Sequence, residues 1–281
     1  VARKLEGLNK NTGVHPSGIA ISFYPLDEIC PLQQTNDGDL VSGYDMNWVA
    51  ELMVKFDILG LRTLSVIYDV CKRLDFDLNK INLDNKKLYK SLSNEFRHPQ
   101  GLFQIEAYTN FSVCKKIKPR NLEELSAVVA IARPGALEFA DQYSEYVKTG
   151  DFQSVHPAFD KILDYTGGIP LYQEQLMKMA VRVGFTLDEA EQLRRIVGKK
   201  KVDQMPAWKE KIFKKVEENK LTNAWSGHRG EEAADVLWRV AEDSANYSFN
   251  KSHSIAYATL AAWTTYLKFK YPKEFFLSLL K

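Results

Sequence analysis

The spacing of apolar residues changes near residue 60. Earlier in the chain, short runs of β-branched and aromatic residues at 19–26 and 52–59 flank the turn-rich stretch 33–39, and runs of this kind are typical of β-strands. A short helical piece is predicted around residues 47–51. Beyond residue 60, apolar residues recur three or four positions apart and define one face of a predicted helix: Leu61, Leu64, Ile67, Val70 and Leu74.

Most of the remaining sequence has helical periodicity. The predicted helical segments are residues 124–132, 172–183, 187–197, 207–219, 232–245 and 256–270. Glycine and proline mark the loops between several of them. The sequence therefore predicts an α+β fold, with a small β-containing part over residues 1–60 and a large, mostly α-helical part over residues 61–281.

The composition is that of an ordinary globular protein, with 45% hydrophobic and 26% charged residues. The net charge of +2 is unevenly distributed, because residues 194–220 contain ten lysines and arginines against four acidic residues. That block has a charge of +6, so the rest of the chain sums to −4. A basic block indicates an anionic partner, either phosphate or nucleic acid; a solvated helix face is the alternative.

The three cysteines, Cys30, Cys71 and Cys114, are widely spaced and form no C-x-x-C pair. An odd number argues against a disulfide framework and indicates buried free thiols in a reducing, cytoplasmic protein. No signal peptide is visible, and the longest weakly apolar run, residues 255–267, is shorter than the roughly 20 residues that span a bilayer. No membrane association is predicted. The first residue is valine, which fits either processing or a fragment of a longer protein.

The first candidate site is the pair Lys55 and Asp57 on the predicted strand 52–59. Alternate residues of a strand point to the same face, so we expect these two side chains on one polar face and Val54, Phe56 and Ile58 toward the core. Aspartate oxygens bind Mg²⁺, and a neighbouring lysine can hold phosphate. An ordinary surface strand is the alternative.

The second candidate site is the basic stretch at the end of the predicted helix 187–197. Arg194 and Arg195 precede Gly198, which interrupts the helix, and three lysines follow it: Lys199, Lys200 and Lys201. Guanidinium groups match phosphate oxygens bidentately, and lysines add positive charge. The stretch suits a triphosphate or a nucleic-acid backbone, and a solvated helix end is the alternative.

The third candidate site is the polar run at the start of the last predicted helix, which contains Asn250, Lys251, Ser252 and His253. We expect Ser252 or Ser254 to cap this helix. The free amide groups of the first turn would then favour an anion, although capping alone also explains the run.

A single histidine, His15, lies in the glycine-flanked turn 11–18, just before the first predicted strand. An isolated histidine is more often structural than catalytic. The sequence has no H-x-x-x-H metal spacing, no nucleophile elbow and neither of the common glycine-rich phosphate loops. The residues of this turn do not by themselves indicate a function.

Taken in order, these stretches and several others resemble successive motifs of the alpha subunit of bacterial DNA polymerase III, a C-family replicative DNA polymerase. The resemblance extends from about Leu5 to Phe276. The segments that carry it are GLNKNTGVHPSGIAIS, VKFDILGLRTL, GLFQIEA, ARPGAL, LYQEQLM, LRRIVGKKK and FNKSHSIAYATLAAWTTYLKFKYPKEFF.

The resemblance implies that residues 1–60 are the C-terminal part of a palm of the polymerase-beta-like nucleotidyltransferase type and that residues 61–281 are helical fingers. In this family three palm aspartates bind two Mg²⁺ ions, which gives Asp57 one of those roles and Lys55 a contact to phosphate. The implied partners are primer–template DNA, a deoxynucleoside triphosphate and other replisome subunits. The residues implied to lie near nucleotide phosphates or template are His15, Arg133, Arg194, Arg195, Lys199, Lys200, Lys201, Asn250, Lys251, Ser252 and His253.

The sequence departs from the family pattern in one important respect. In the family the other two aspartates form a D-x-D pair ahead of the motif that the turn 11–18 resembles, and no such pair precedes that turn here. Asp75 and Asp77 have the D-x-D spacing but follow Asp57, so their order is wrong. One carboxylate does not hold two Mg²⁺ ions. We therefore expect little or no polymerase activity from this chain alone.

Three interpretations of the chain stay open at this point. It is a piece of a longer polymerase, one half of a split enzyme completed by a partner chain that bears the other two aspartates, or a degenerate remnant. The leading function is template-dependent nucleotidyl transfer from a deoxynucleoside triphosphate to a primer 3′ end in DNA replication. The alternatives are a non-catalytic helical module that binds nucleic acid and a scaffold for other replication proteins.

Overall fold

The computed structural model describes residues 6–7, 13–198, 204–221 and 227–281. The chain divides into two compact units, Val1–Arg62 and Thr63–Lys281. Helices dominate, and the strands form two separate two-stranded sheets, which confirms the predicted α+β class. No helix in the described ranges has the length and apolarity needed to cross a membrane. All three cysteines are free, with Cys30 and Cys114 buried.

Short elements make up the described part of the first unit. They are β1 (Gly18–Ile21), α1 (Leu26–Ile29), β2 (Leu32–Gln34), β3 (Leu40–Ser42), α2 (Met46–Leu52) and β4 (Val54–Asp57). Strand β1 pairs antiparallel with β4, so that Gly18 lies opposite Asp57. Strands β2 and β3 form a second antiparallel pair, with Leu32 opposite Ser42.

The predicted strand over residues 19–26 is wrong in its second half. The strand ends at Ile21, and α1 begins at Leu26, directly after Pro25. Proline has no amide hydrogen to donate to a ladder. It is well tolerated where a helix begins, because the first amide groups of a helix have no partner within it.

The predicted orientation of β4 is also wrong. The side chains expected to face the core are exposed to solvent: the exposed fraction is 51% for Val54, 51% for Phe56 and 65% for Ile58. The small core of this unit contains Cys30, Val49 and Met53 and is contacted by Ala20, which lies opposite Lys55. The alternation of a strand fixes which residues share a face, but not which face the other elements cover.

The second unit is built from helices of very different lengths. They are α3 (Arg62–Leu74), α4 (Lys86–Lys90), α5 (Tyr108–Ile117), α6 (Leu122–Ile131), α7 (Ala140–Thr149), α8 (Asp160–Leu163), α9 (Gln173–Arg182), α10 (Leu187–Gly198), α11 (Met205–Glu218), α12 (Gly230–Tyr247), α13 (Lys251–Lys270) and α14 (Pro272–Leu279). Short 3₁₀ turns span Leu78–Lys80, Leu137–Phe139 and Asp164–Thr166, and a π-helical turn spans Ser91–Glu95. Each predicted helical segment is confirmed, with ends displaced by a few residues.

The predicted buried face of α3 is confirmed at Ile67 and Val70 and is wrong at Leu64. Leu64 is exposed, whereas Val66 is buried. Asp77, the second acid of the D-x-D pair, accepts a hydrogen bond at 2.9 Å from the amide of Asn79 and caps the 3₁₀ turn that follows α3. Its carboxylate therefore has a local structural role.

Helix α13 packs against α6 at the centre of the larger core. Small residues on α13 allow the two helices to approach closely: Ala258, Ala261 and Ala262. The Ser254 hydroxyl donates to the Ser126 carbonyl at 2.8 Å, and the Phe103 amide donates to Thr264 Oγ1 at 3.1 Å. These bonds fix the position of α13 along its axis. A second core lies among α8–α12 and includes Met179, Leu193, Ile212 and Leu237.

One charged side chain is buried near the end of α13. Lys268 is only 6% exposed, and its ammonium donates to the His98 carbonyl at 2.6 Å and to the Gln100 carbonyl at 2.8 Å. Burial lowers its pKa. Because the loop at 98–100 has no regular structure of its own, these two bonds attach it to the helix.

Lys268→Met tests this attachment. The substitution keeps an apolar stem of similar length but leaves the two carbonyls without their donor, so the free energy of unfolding should fall by about 2–3 kcal/mol, measured by urea denaturation. Lys270→Met on the same helix is the control. Its ammonium makes a solvent-exposed hydrogen bond to the hydroxyl of the partly buried Tyr266. Its loss should change stability by less than about 0.5 kcal/mol. Equal effects would contradict a specific role for Lys268.

Candidate functional site

In the first unit, three predicted site residues meet at the end of β4. Lys55 Nζ lies 2.7 Å from Asp57 Oδ1, and His15 Nε2 lies 3.6 Å from the same oxygen. The Ser17 amide donates to His15 Nδ1 at 3.2 Å, which leaves the other ring nitrogen facing Asp57. The shared face of Lys55 and Asp57 follows from strand alternation. A role for His15 is implied only by the family resemblance, and the residue pattern does not connect it to this pair.

A glycine makes room for this arrangement. Gly18 lies opposite Asp57 in the ladder. A Cβ atom at this position would lie 2.9 Å from His15 Nδ1 and 3.1 Å from Lys55 Cε. Both distances are shorter than ordinary contacts between side chains, so a larger residue would displace the histidine or the lysine.

The pKa of the Asp57 carboxyl is lowered, chiefly by the hydrogen bond from Lys55. Partial desolvation opposes that shift, while the charges of Lys55 and His15 add to it. Asp57 is therefore an ionised acceptor at neutral pH. Across the described residues, the only cluster of three or more potential metal-ligating His, Cys, Asp or Glu side chains lies elsewhere. Because Mg²⁺ takes several oxygen ligands, Asp57 and its described neighbours do not fit a magnesium site by themselves.

In the second unit, the starts of α9 and α13 are joined. The Gln173 amide donates to the Phe249 carbonyl at 2.8 Å. The Glu174 carboxylate then accepts from Asn250 Nδ2 at 2.9 Å and from the Lys251 amide at 3.0 Å. A carboxylate at this position complements the free amide groups at the start of α13.

The expected cap of α13 is wrong in detail. Asn250 is the capping residue, and its Oδ1 accepts from the His253 amide at 2.8 Å. The Ser252 hydroxyl donates to the same oxygen at 2.6 Å, and Ser254 is used inside the core. Asparagine and serine are both good caps, so residue type alone does not separate them. Ser252 and His253 are exposed in the first turn.

Two further cations lie beside this junction. Lys251 Nζ lies 2.7 Å from Glu123 Oε1 and 4.0 Å from the centre of the Tyr165 ring. The guanidinium carbon of Arg133 lies 4.0 Å from the centre of the Phe249 ring, and burial lowers the pKa of Arg133. The aromatic rings and Glu123 hold these side chains in place.

Arg194 and Arg195 share one carboxylate on α10. Glu191 lies 2.6 Å from Arg194 and 2.9 Å from Arg195, and the hydrogen bond from Arg194 is the main reason that the pKa of Glu191 falls to about 2. Arg194 is partly buried, and its Nη1 donates to Gln173 Oε1 at 3.2 Å. Arg195 is exposed.

Gln173 and Glu174 thus connect the two predicted basic sites. We call the set of Gln173, Glu174, Arg194, Asn250 and Lys251 the α9–α13 cluster. The structure brings three of the predicted residues together in it: Arg194, Asn250 and Lys251. The predicted residues Lys199, Lys200 and Lys201 lie outside the described residues.

Sequence reasoning missed the acidic partners of these cations. Glu191 could have been found, because it precedes Arg194 and Arg195 by three and four residues on a helix, a spacing that pairs opposite charges. Glu123 and Glu174 come from distant parts of the sequence. No periodic signal connects either glutamate to Lys251, which lies more than 70 positions away.

A separate group of potential metal ligands lies between the loop after α7 and the start of α12. His156, His228 and Glu232 place one ligand atom each within 4.8 Å of the others. However, the Ala158 amide donates to His156 Nδ1 at 3.1 Å, so the neutral ring carries its proton on Nε2. Burial and the neighbouring His228 lower the pKa of His156. This geometry favours a neutral buried histidine over a metal ligand.

Two models of known protein families match this chain. A model described as the bacterial DNA polymerase III alpha subunit finger domain matches residues 63–220. A second model, described as the bacterial DNA polymerase III alpha NTPase domain, matches residues 1–60. Both describe parts of a replicative DNA polymerase.

The chain belongs to the bacterial DNA polymerase III alpha subunit family. It is 37% identical to the alpha subunit of Thermus aquaticus, with 100% of this chain and 23% of that protein aligned. It is 37% identical to the alpha subunit of Aquifex aeolicus, with 98% of this chain and 24% of that protein aligned. It is 34% identical to the alpha subunit of Bacillus subtilis, with 100% of this chain and 25% of that protein aligned. The chain spans about a quarter of the length of these relatives.

The geometry around Asp57 predicts a hierarchy of effects on its titration. Lys55→Met should raise the pKa of the Asp57 carboxyl toward the ordinary value, because it removes both a hydrogen bond and a charge. His15→Asn should raise that pKa less, because it removes only the weaker charge interaction. Carboxyl-detected ¹³C NMR titration measures both. An Asp57 titration unchanged in Lys55→Met would contradict the ion pair.

Proposed function

We propose that this chain is the later part of the palm and the fingers of a DNA-directed DNA polymerase. The reaction is template-dependent nucleotidyl transfer from a deoxynucleoside triphosphate to a primer 3′ end during DNA replication. The observation that carries the proposal is the Asp57–Lys55 pair, which lies within residues 1–60 that match a polymerase model. Residues 1–60 form the palm portion and residues 61–281 the fingers.

Asp57 contributes one carboxylate to the palm. The other two aspartates come from the remaining polymerase segments or from a partner chain, and Mg²⁺ binds only when all three are assembled. Lys55 holds the Asp57 carboxylate ionised and oriented, and His15 lies on its other side. When a triphosphate enters, the same lysine presents a positive charge to a phosphate oxygen.

The α9–α13 cluster and its neighbours bind the phosphates of the incoming nucleotide. Arg194 offers a partly buried guanidinium that is already oriented by Glu191 and Gln173. Such preorganisation reduces the entropy lost when a phosphate binds. Arg133, Arg195 and Lys251 supply further positive charge. The exposed Ser252 and His253 lie where the nucleotide or template strand would approach.

Asp57→Asn is the test of the palm assignment. The 281-residue chain is assembled with a complementing chain that carries the remaining palm carboxylates, and primer extension is measured. The neutral amide removes a metal ligand, so the extension rate should fall more than a hundredfold, beyond the about 10–100-fold typical of residues that only support ligands. Binding of primer–template DNA should be retained.

Asp27→Asn is the matched control, because Asp27 is an exposed aspartate on α1 of the same unit. It should leave extension unchanged. Full extension by the Asp57→Asn variant would overturn the palm assignment. The 281-residue chain without a complementing chain should not extend a primer, whether or not it binds DNA.

A non-catalytic nucleic-acid-binding module is the second candidate. It is favoured by the absence, among the described residues, of further carboxylates grouped around Asp57. It predicts that complementation never restores extension although DNA binding persists. A scaffold for other replication proteins predicts in addition that nucleotides have no effect on the protein.

Nucleotide binding at the α9–α13 cluster is tested by protection from limited proteolysis with a deoxynucleoside triphosphate. Arg194→Ala should raise the nucleotide concentration needed for protection by about tenfold or more, because a charge-assisted hydrogen bond contributes about 1.5–3 kcal/mol. Arg195→Ala should have a smaller effect, since Arg195 is exposed. Lys178→Ala, an exposed lysine on α9, is the control and should behave as the unaltered protein.

A further inference from the structure

A second basic site lies in the helical unit, in an open cavity of about 320 Å³. Its wall is formed by α4, the π-helical turn after it, the end of α5 with the loop that follows, and the last turns of α7. Its lining includes Ser93 and five cations: Lys86, Lys90, Lys118, Arg120 and Lys148. None of them belongs to the α9–α13 cluster.

Positive charge at this cavity is only partly neutralised. Arg120 is bound to Glu124 at 2.7 Å, and Lys148 lies 3.6 Å from Glu145. Within the described part of the chain, the other three lining cations make no ion pair with a carboxylate: Lys86, Lys90 and Lys118. The cavity therefore has an excess of about three positive charges, which favours an anion.

The cavity also has a buried polar group without a protein partner. Ser93 is 5% exposed, and its hydroxyl has no hydrogen-bond partner among the described residues. Buried hydroxyls are nearly always satisfied by protein or by a bound species. Ser93 lies in the π-helical turn Ser91–Glu95, a type of turn that is rare and often found at functional sites.

The backbone at Lys118 supports a role for its side chain. This residue ends α5 with a φ of +56°, in the left-handed region that glycine or asparagine usually occupies at a helix end. The charge of Lys118 complements the partial negative charge at the end of α5, and its ammonium also adds to the charge of the cavity.

We propose that this cavity binds a phosphate group, with Lys86, Lys90 and Lys118 as the cations and the Ser93 hydroxyl as a neutral donor. The phosphate belongs either to the backbone of a single-stranded nucleic acid or to a free nucleotide. Within the ranges that the structure describes, these three lysines have no ion-pair partner, which distinguishes this cavity from the α9–α13 cluster. Its existence does not depend on polymerase activity, so each proposal can fail without the other.

The first experiment measures binding of a fluorescent oligothymidylate to the 281-residue chain by anisotropy over a range of salt concentrations. The doubly substituted variant Lys86→Gln/Lys90→Gln should bind about tenfold or more weakly at low salt. The slope of log affinity against log salt should fall by about 0.7, because the two lysines contact one phosphate of the strand. Lys273→Gln, an exposed lysine on α14, should leave both quantities unchanged.

Lys118→Gly separates binding from stability. Glycine accepts the left-handed conformation more readily than lysine, so the thermal midpoint should stay the same or rise while oligonucleotide affinity falls. A variant that lost affinity by unfolding would instead show a lower midpoint. If Lys273→Gln weakens binding as much as the double variant, or if neither the double variant nor Lys118→Gly weakens it, the proposal is overturned.

Competition identifies the source of the phosphate. Inorganic phosphate and thymidine monophosphate are added to the oligonucleotide complex of the unaltered protein and of Ser93→Ala. Displacement at millimolar concentration that is weakened by Ser93→Ala identifies a site for free phosphate groups. Displacement only by unlabelled oligonucleotide identifies a site for the strand, and both outcomes support the proposal. Competition in which Ser93→Ala and the double variant match the unaltered protein would contradict it.

Discussion

The helical unit depends on the close packing of α13 against α6. Ala258, Ala261 and Ala262 of α13 are buried in one core with the residues of α6. The Ser254–Ser126 hydrogen bond fixes how far α13 extends along α6. Because α13 has 20 residues, this contact determines the position of both of its ends. One end presents Asn250 and Lys251 to Glu174, and the other buries Lys268 beneath the loop at 98–100. The position of the α9–α13 cluster and the attachment of the loop at 98–100 therefore both depend on the packing of α13 against α6.

The cations of the helical unit differ in how they are balanced. Arg194 is paired with Glu191, and Lys251 with Glu123, so an anion arriving at the α9–α13 cluster would compete with carboxylates already in place. A cation that is paired with a carboxylate is held in one orientation but attracts an anion more weakly than an unpaired cation. A ligand must supply comparable hydrogen bonds to displace the carboxylate. Among the described residues, Lys86, Lys90 and Lys118 of the open cavity have no such partners. They attract an anion from a greater distance but hold it less specifically. The α9–α13 cluster is thus better suited to selecting among anions, and the open cavity to attracting an anion from solution.

The sequence predicted those features that depend on local spacing. Helical periodicity identified the long helices, and strand alternation placed Lys55 and Asp57 on one face. The sequence could not predict which face of β4 is covered, because that face is determined by tertiary contacts with Ala20 and the small core of the first unit. For the same reason nothing in the sequence connects Glu174 to Lys251, although Glu174 lies in LYQEQLM, one of the segments that carry the family resemblance. Choosing Asn250 over Ser252 as the cap required the backbone geometry, since both residue types are good caps.

The charge balance at Asp57 constrains how the first unit can take part in chemistry. One ionised carboxylate faces an ammonium at 2.7 Å and an imidazole at 3.6 Å, so a neighbouring cation already balances its charge. Such a group attracts phosphate more readily than Mg²⁺, because a divalent cation must overcome repulsion by Lys55 with only one oxygen donor to compensate. Two additional carboxylates would reverse this balance, and Lys55 would then be free to turn toward a phosphate. In the polymerase proposed above, the ion pair would therefore keep Asp57 ionised and in position before the remaining acids and the substrate bind.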